Sequence, residues 1–286
     1  MDGHTSSVLL QQQLGWEARL ELDFERRGER TVLARQRHSG PLTVQRPFHP
    51  ELDGTCHTYV LHPPGGVVGG DRLTLEVSAS SGARALLTTP AATKFYRTAG
   101  PRAFQRQHFR VGTGCRLEWL PQESIVYDGA NIALETRIEL AAGAELLAWD
   151  IVCFGRPAIG ERFERGRVEQ RLEIWREGAP LMLERGCYDG GSEVMREPFG
   201  LGGSPVLGLL VCVANGASSE LVSQARDALL AVAPRQTACS KLPGALVCRY
   251  LGTSTEQARQ ALGAAWSALR EHAFGVRAVA PRIWAT

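Results

Sequence analysis

Glycine turns recurring at a near-constant spacing constrain this chain more than any other feature. From Trp16 to Leu183 the residues run in short strand-like stretches that meet at glycines. "LTLEVSASSGARALLTT", "QHFRVGTGCRLEWLP", "TRIELAAGAELLAWD" and "QRLEIWREGAPLMLER" each hold a strand-like run, a turn centred on Gly82, Gly114, Gly143 or Gly178, and a second apolar run. The turns are 32, 29 and 35 residues apart, and "ARLELDFERRGERTVLARQ" around Gly28 is an earlier copy. A strand unit of about 30 residues cannot bury its own apolar face and must lean on its neighbours, so a β-helix-like solenoid and a pair of stacked sheets both satisfy the pattern. The expected fold is mainly β: a β-helix-like stack of about 30-residue hairpin repeats with two C-terminal helices. It forms a single domain over 1–286, with a repetitive β body over 16–200 and a mixed strand and helix part over 205–286.

The rhythm changes after "VLGLLVCVA". In "SSELVSQARDALLAV", Ser218 or Ser219 can cap a helix on which Leu221, Ala225, Ala228 and Leu229 share a face. "ALVCRYLG" reads as a strand, and "TSTEQARQALGAAWSALREH" opens with Thr253 and Glu256 at capping-box spacing before an apolar stripe of Leu262, Trp266 and Leu269. Such a stripe either covers the β body or receives a partner.

Charge and cysteine usage exclude several classes. A formal charge of +2 over 286 residues gives no blanket attraction to nucleic acid or an anionic membrane. "MDGHTSSVLLQQQLGW" lacks the basic n-region of a secretory leader, and the nine-residue run from Val206 to Ala214 is far short of the roughly 20 residues of a membrane span. Seven scattered cysteines are the reduced pattern of a cytoplasmic protein. All 32 basic residues but Lys94 and Lys241 are arginine.

"HPPGGVVGGD" is the obvious place to look for a phosphate cradle. Gly65 and Gly70 have P-loop separation, but Asp71 and Arg72 stand where lysine and a hydroxyl are needed, and the carboxylate inverts the charge where an anion would sit. Gly65, Gly66, Gly69 and Gly70 therefore read as a sharp turn, with Asp71 at its exit. Cys56, His57 and His62 are candidate metal ligands, yet Cys56 and His57 are adjacent and point to opposite sides of a strand. There is no CxxC, HxH, HExxH or GxSxG. Asp128, Asp150 and Glu184 would be available to a glycosidase or lyase built on stacked strands. Asp150 follows Gly143 by seven residues and Glu184 follows Gly178 by six, and the matching point after Gly82 is the Thr88–Thr89 pair. Equivalent positions in stacked repeats lie above one another, so these residues form either a polar column or a set of solvated strand ends.

Several longer stretches, "GPLTVQRPFHPE", "CHTYVLHPPGGVVGGD", "LLTTPAATKFYR", "LEWLPQESIVYDGA", "LLAWDIVCFGRPAIGERF" and the closing "PRIWAT", resemble the UreD family of urease accessory proteins, called UreH in some species. The resemblance runs from about Gly40 to the C-terminus. It implies a non-enzymatic role in maturing urease: binding the urease apoprotein and UreF, which holds the GTPase UreG that brings nickel. It also implies a water-filled tunnel with nickel in transit and no tightly bound cofactor. On that basis Asp71, Thr88, Thr89, Thr93, Asp150 and Glu184 are conduit candidates, with Asp71, Asp150 and Glu184 holding the ion only weakly. Lys94, Tyr96, Arg97, Trp266, Arg282 and Trp284 are partner-interface candidates, the first three alternatively bracing the conduit wall. Two other classes stay open: a carbohydrate-active enzyme of the β-helix type, and a metallochaperone binding nickel tightly through Cys56, His57 and His62.

Overall fold

The computed structural model describes residues 15–214 and 219–285. Ser218 and residues 1–14 of the N-terminal stretch read against a secretory leader lie outside them. In chain order the strands of the first half are β1 (Glu17–Arg27), β2 (Arg30–Ser39), β3 (Thr43–Val44), β4 (Cys56–Leu61), β5 (Gly66–Val67), β6 (Arg72–Ser80), β7 (Arg84–Thr88), β8 (Thr93–Phe95) and β9 (Ala103–Val111). They continue as β10 (Arg116–Trp119), β11 (Ser124–Val126), β12 (Asn131–Leu140), β13 (Glu145–Phe154), β14 (Arg167–Arg176), β15 (Ala179–Asp189), β16 (Val206–Val213), β17 (Thr237–Leu242) and β18 (Ala245–Gly252). A short α1 (Glu193–Arg196) precedes the two long helices, α2 (Ser219–Val232) and α3 (Thr255–Phe274).

Two sheets stack face to face. The first runs β15-β14-β12-β9-β6-β1-β2 and the main path of the second runs β17-β18-β16-β13-β10-β7-β4-β3. The central strands of both are parallel: β1, β6, β9, β12 and β14 in the first, and β4, β7, β10 and β13 in the second. The stacked-strand architecture expected from the glycine repeat is present, but the repeat unit differs from a hairpin. The strands that flank Gly82, Gly114 and Gly143 do not pair with each other; each turn carries the chain from the first sheet to the second, as an arch. Pairing is supplied one repeat away, where both strands of an arch find parallel neighbours. The three glycines sit at φ +73°, +68° and +69°, the left-handed conformation that a tight turn of either kind requires. True hairpins occur at Gly28 and Gly178, where β2 and β15 turn back antiparallel and end the stack of the first sheet.

Alternation along the strands gives three layers. Leu22, Phe24, Val77, Phe109, Leu117, Ile138 and Leu146 fill the space between the sheets. Leu86, Leu147, Trp149, Ile151, Leu210 and Tyr250 face the other way and are covered by Leu221, Ala225 and Leu229 of α2 and by Ala261, Leu262, Trp266 and Leu269 of α3. The outer face of the first sheet carries ion pairs across strands, such as Arg106 with Glu135 at 2.7 Å, Arg102 with Glu169 at 2.6 Å and Arg137 with Glu173 at 3.3 Å. Strands about 4.8 Å apart suit the planar fork of arginine, which gives the arginine bias a structural use. The α3 cap is Ser254, whose side chain accepts from the Gln257 N–H; Ser254 and Gln257 satisfy the capping-box spacing one residue beyond Thr253 and Glu256.

A buried ionic cluster fixes α3 to the second sheet. The Arg270 guanidinium, fully buried, reaches Glu118 on β10 through Nε at 2.9 Å and Glu51 through Nη2 at 2.8 Å. Its Nη1 donates to the Arg277 carbonyl at 2.9 Å. Trp266 Nε1 donates to Glu118 at 2.7 Å, and His57 Nε2 lies 2.5 Å from Glu51. Burial alone would depress the Arg270 pKa, but the Glu118 and Glu51 carboxylates carry it upward, so the charge stays. Arg270→Met leaves two buried carboxylates without their cation and is expected to cost about 3–5 kcal/mol. Urea denaturation followed by tryptophan fluorescence measures it, and an unchanged midpoint would refute the role given to this cluster.

Candidate functional site

The glycine-rich loop is closed by its own backbone. The Gly65 N–H donates to the His62 carbonyl at 2.8 Å to close a turn, and β5 then pairs in parallel with β8. Any side chain at Gly69 would collide with Thr98 and Pro101, with Cβ only 2.0 Å from the Thr98 hydroxyl; the glycine is needed for this close approach. Asp71 completes the same local structure. Its Oδ1 accepts from the Trp16 N–H at 2.7 Å and its Oδ2 from the Val68 N–H at 2.9 Å. Both oxygens are engaged by backbone, so Asp71 braces the loop against the start of β1 and is not on a cavity wall.

Between the two sheets lies an interior cavity of about 120 Å³. The sequence makes it polar at one level of the stack. Across the inner face of the first sheet, Leu75, Gln107, Thr136 and Leu172 stand side by side in register, so two polar residues interrupt an apolar row. Gln107 Oε1 accepts from Trp119 Nε1 and from the Thr136 hydroxyl, each at 3.1 Å. Facing them, Asp150 projects from the inner side of β13 and accepts from Gln170 Nε2 at 2.7 Å. Asp150 lies deep in the molecule yet keeps accessible surface, and that surface belongs to the cavity. Burial raises its pKa above the usual carboxylate range against the opposing pull of the Gln170 and Ile151 hydrogen bonds. His62 also lines the cavity; burial lowers its imidazole pKa, partly offset by Asp71, and its Nδ1 is buried without a hydrogen-bond partner.

The structure brings together three of the six conduit candidates: Thr89, Thr93 and Asp150 line this one cavity. The other three are engaged elsewhere. Besides Asp71, Thr88 donates its hydroxyl to the Leu120 carbonyl at 2.5 Å and accepts from Trp284 Nε1 at 2.9 Å. Glu184, on the edge strand β15 of the first sheet, forms a two-pronged pair with Arg249 of β18, both contacts at 2.5 Å, which ties that edge to the second sheet. Gln105, Gln107, Gln122 and Thr136 line the cavity too and were not singled out from sequence. The signal was in "AFQRQHFRV", where Gln105 and Gln107 occupy the same strand face as the buried Phe109 and Val111.

The partner-interface candidates also divide. Lys94, Tyr96, Arg97 and Arg282 are exposed. Tyr96 packs edge-on against Tyr127, and the Arg156 guanidinium lies 4.3 Å above the Tyr127 ring. Trp266 is buried, packed with Trp149 and Trp284, because the α3 stripe faces the second sheet; it is a core residue and does not present itself to a partner. Trp284 is half-buried beside it. Cys56, His57 and His62 do not converge. Cys56 faces the inter-sheet core, where burial pushes its thiol up to about 11, His57 faces Glu51, and His62 faces the cavity. Asp128 is held by Arg165 at 2.7 Å, away from the Glu184–Arg249 pair. Among the described residues no three His, Cys, Asp or Glu side chains gather closely enough to hold a metal ion, and no helix is long and apolar enough to cross a membrane.

The family model described as UreD urease accessory protein matches residues 17–285. The chain is 47% identical to the urease accessory protein UreD of Dechloromonas aromatica over 277 residues, covering 95% of each. It is 46% identical to that of an Azoarcus species, covering 96% of this chain and 95% of the relative. With the Klebsiella aerogenes protein it shares 42% identity over 95% of this chain and 97% of the relative.

The raised pKa of Asp150 has a defined sign in stability. The folded state binds the proton more tightly than the unfolded chain, so the contribution is present at low pH and is lost as pH rises through the folded pKa. Asp150→Asn removes the titration. Its thermal midpoint should gain on the parent as pH is raised from about 4 to about 8, and a gap that is constant across that range would contradict the burial argument.

Proposed function

The chain belongs to the UreD family of urease accessory proteins, and from that premise we propose that it is a non-enzymatic scaffold whose interior cavity passes nickel toward urease. The observation that carries this is Asp150: a carboxyl on the cavity surface with no cation paired to it among the described residues, sharing that lining with amides, hydroxyls and a neutral imidazole, while the other lining carboxylate, Glu135, is held by Arg106 at 2.7 Å. A conduit has to release its ion. A single carboxyl with neutral oxygen neighbours binds a divalent cation loosely, whereas a convergent Cys/His set would retain it. Asp150, Thr89, Thr93, Gln107, Thr136 and His62 are the lining that such a path would use, with nickel as cargo and not as a resident cofactor.

The proposed partners are the urease apoprotein, UreF and, through UreF, the GTPase UreG. Lys94, Tyr96 and Arg97 on one surface, and Arg282 with the half-buried Trp284 on another, are the side chains we assign to docking. The cytoplasm, where thiols stay reduced, is the proposed compartment. The separation of Cys56, His57 and His62 speaks against a tight nickel chaperone, and the separate engagement of Asp128 and Glu184 speaks against a paired-carboxylate hydrolase.

Co-expression with urease and its other accessory proteins tests the conduit. Asp150→Asn should lower nickel per urease active site roughly tenfold under limiting nickel, the scale on which removal of a supporting group weakens metal sites. Co-purification with UreF should persist. Glu184→Gln should leave loading at the parental level, because Glu184 is committed to Arg249 outside the cavity. Parental nickel content in Asp150→Asn with the complex intact would sink the conduit.

A further inference from the structure

A second hollow, of about 500 Å³, opens between α3 and the C-terminal segment. It shares two wall residues with the interior cavity, Gln122 and Trp149. The two differ in how firmly they are held. The Trp149 indole N–H donates to the Pro121 carbonyl at 2.7 Å, and its ring packs against Trp284 and Trp266 at centroid distances of 5.2 and 6.5 Å. The Gln122 side chain is held by one contact: its Oε1 accepts from Arg259 Nη1 at 2.7 Å. Arg259 in turn leaves its Nε buried without a hydrogen-bond partner, and so does the Glu123 Oε2, which lies 3.9 Å from that Nε.

We propose that this hollow is a mouth of the interior cavity, with Gln122 as its door and Arg259 as the latch. The proposal rests on the reading of the cavity as a cation path and adds where that path meets the surface. With Arg259 on Gln122, the amide spans the wall and the guanidinium, only loosely paired with Glu123 at 3.9 Å, presents positive charge at the mouth, an arrangement that disfavours cation entry. Turning the guanidinium onto Glu123 would satisfy two buried polar atoms in exchange for one hydrogen bond, so both placements are accessible. In the second placement the Glu123 pair closes from 3.9 Å to hydrogen-bond distance and the Gln122 carbonyl oxygen is free to face a passing divalent cation. Trp149 stays fixed in both, so the opening is confined to Gln122 and Arg259.

Cysteine accessibility in the full chain tests this without urease. Thr136→Cys places a thiol on the far wall of the cavity, and 2-aminoethyl methanethiosulfonate, a compact cationic reagent, reports whether it can be reached. Peptide-resolved mass spectrometry separates it from the native thiols, and exposed Cys187 serves as the internal reference. Adding Arg259→Ala or, separately, Gln122→Ala should raise the labelling rate about tenfold or more relative to Cys187, because a minor open state is populated at about 0.1–10%. Melting curves confirm that each variant is folded. An unchanged rate in both variants overturns the gate, and so does a rise in only one, since latch and door must act together. A failure here leaves the conduit standing, whereas parental nickel loading in Asp150→Asn would remove the conduit and leave the gate.

Discussion

Arg270, fully buried between Glu118 and Glu51, is the interaction on which the arrangement of layers depends. The net stability of such a cluster is modest, because its Coulombic gain is set against the cost of stripping water from every charge. Its effect is to penalise alternatives. Any other rotation of α3, or a slip of β10 by one residue, would leave carboxylates in the interior without a cation. Apolar stripes alone do not discriminate in this way, since leucines and alanines tolerate shifted packing. The cluster also joins elements distant in sequence: β10, the segment before β4, α3 and the residues after it.

The second sheet has to serve two faces at once, and this is why its register matters. On β13, Trp149 points to the helices and Asp150 to the cavity; on β10, Glu118 points to Arg270 and Trp119 to Gln107. A one-residue slip would exchange the faces. Holding Glu118 on the helix side therefore holds Trp119 on the cavity side, and the parallel pairing of β10 with β13 carries the constraint to Asp150. The polar interior is tolerated because its members satisfy one another: Gln107 serves Trp119 and Thr136, and Gln170 serves Asp150. The residual cost is the buried acid, a local sacrifice of stability of the kind concentrated at functional positions.

How much of this could be read from residues alone depends on which turn is considered. The glycine repeat revealed the stack, but a left-handed glycine serves an arch and a hairpin equally, so the sequence could not say which. That ambiguity explains the fate of the polar column. Thr89, Pro121 and Asp150 each stand seven residues after an arch glycine and all line the cavity, because arched repeats stack in register. Glu184 stands six residues after Gly178, close to the same count, yet that turn is a hairpin, and its second strand runs back antiparallel at the sheet edge. Asp71 stood out as a carboxylate closing a glycine loop, and backbone N–H groups of Val68 in that loop and of Trp16 before β1 claim its two oxygens. The Trp266 stripe was legible first as a cover for the β body and second as a contact, and the structure makes Trp266 core. The glutamines escaped notice because neutral amides carry no charge signal, although their inward strand positions marked them.

The cavity's chemistry follows from what the arches can and cannot place inside. Each arch contributes alternate residues of two strands, so inner positions come in rows that cross all the parallel strands at one level. A single charged residue in such a row needs a neutral neighbour able to donate to it, and Gln170 on the facing sheet meets Asp150 in that role. A second carboxylate in the same row would face the first at low effective dielectric, and one of the two would remain protonated. One acid per level, flanked by amides and hydroxyls, is therefore the densest negative lining that this architecture holds without a resident cation. The same limit that prevents a tight metal cage leaves a lining from which an ion can depart.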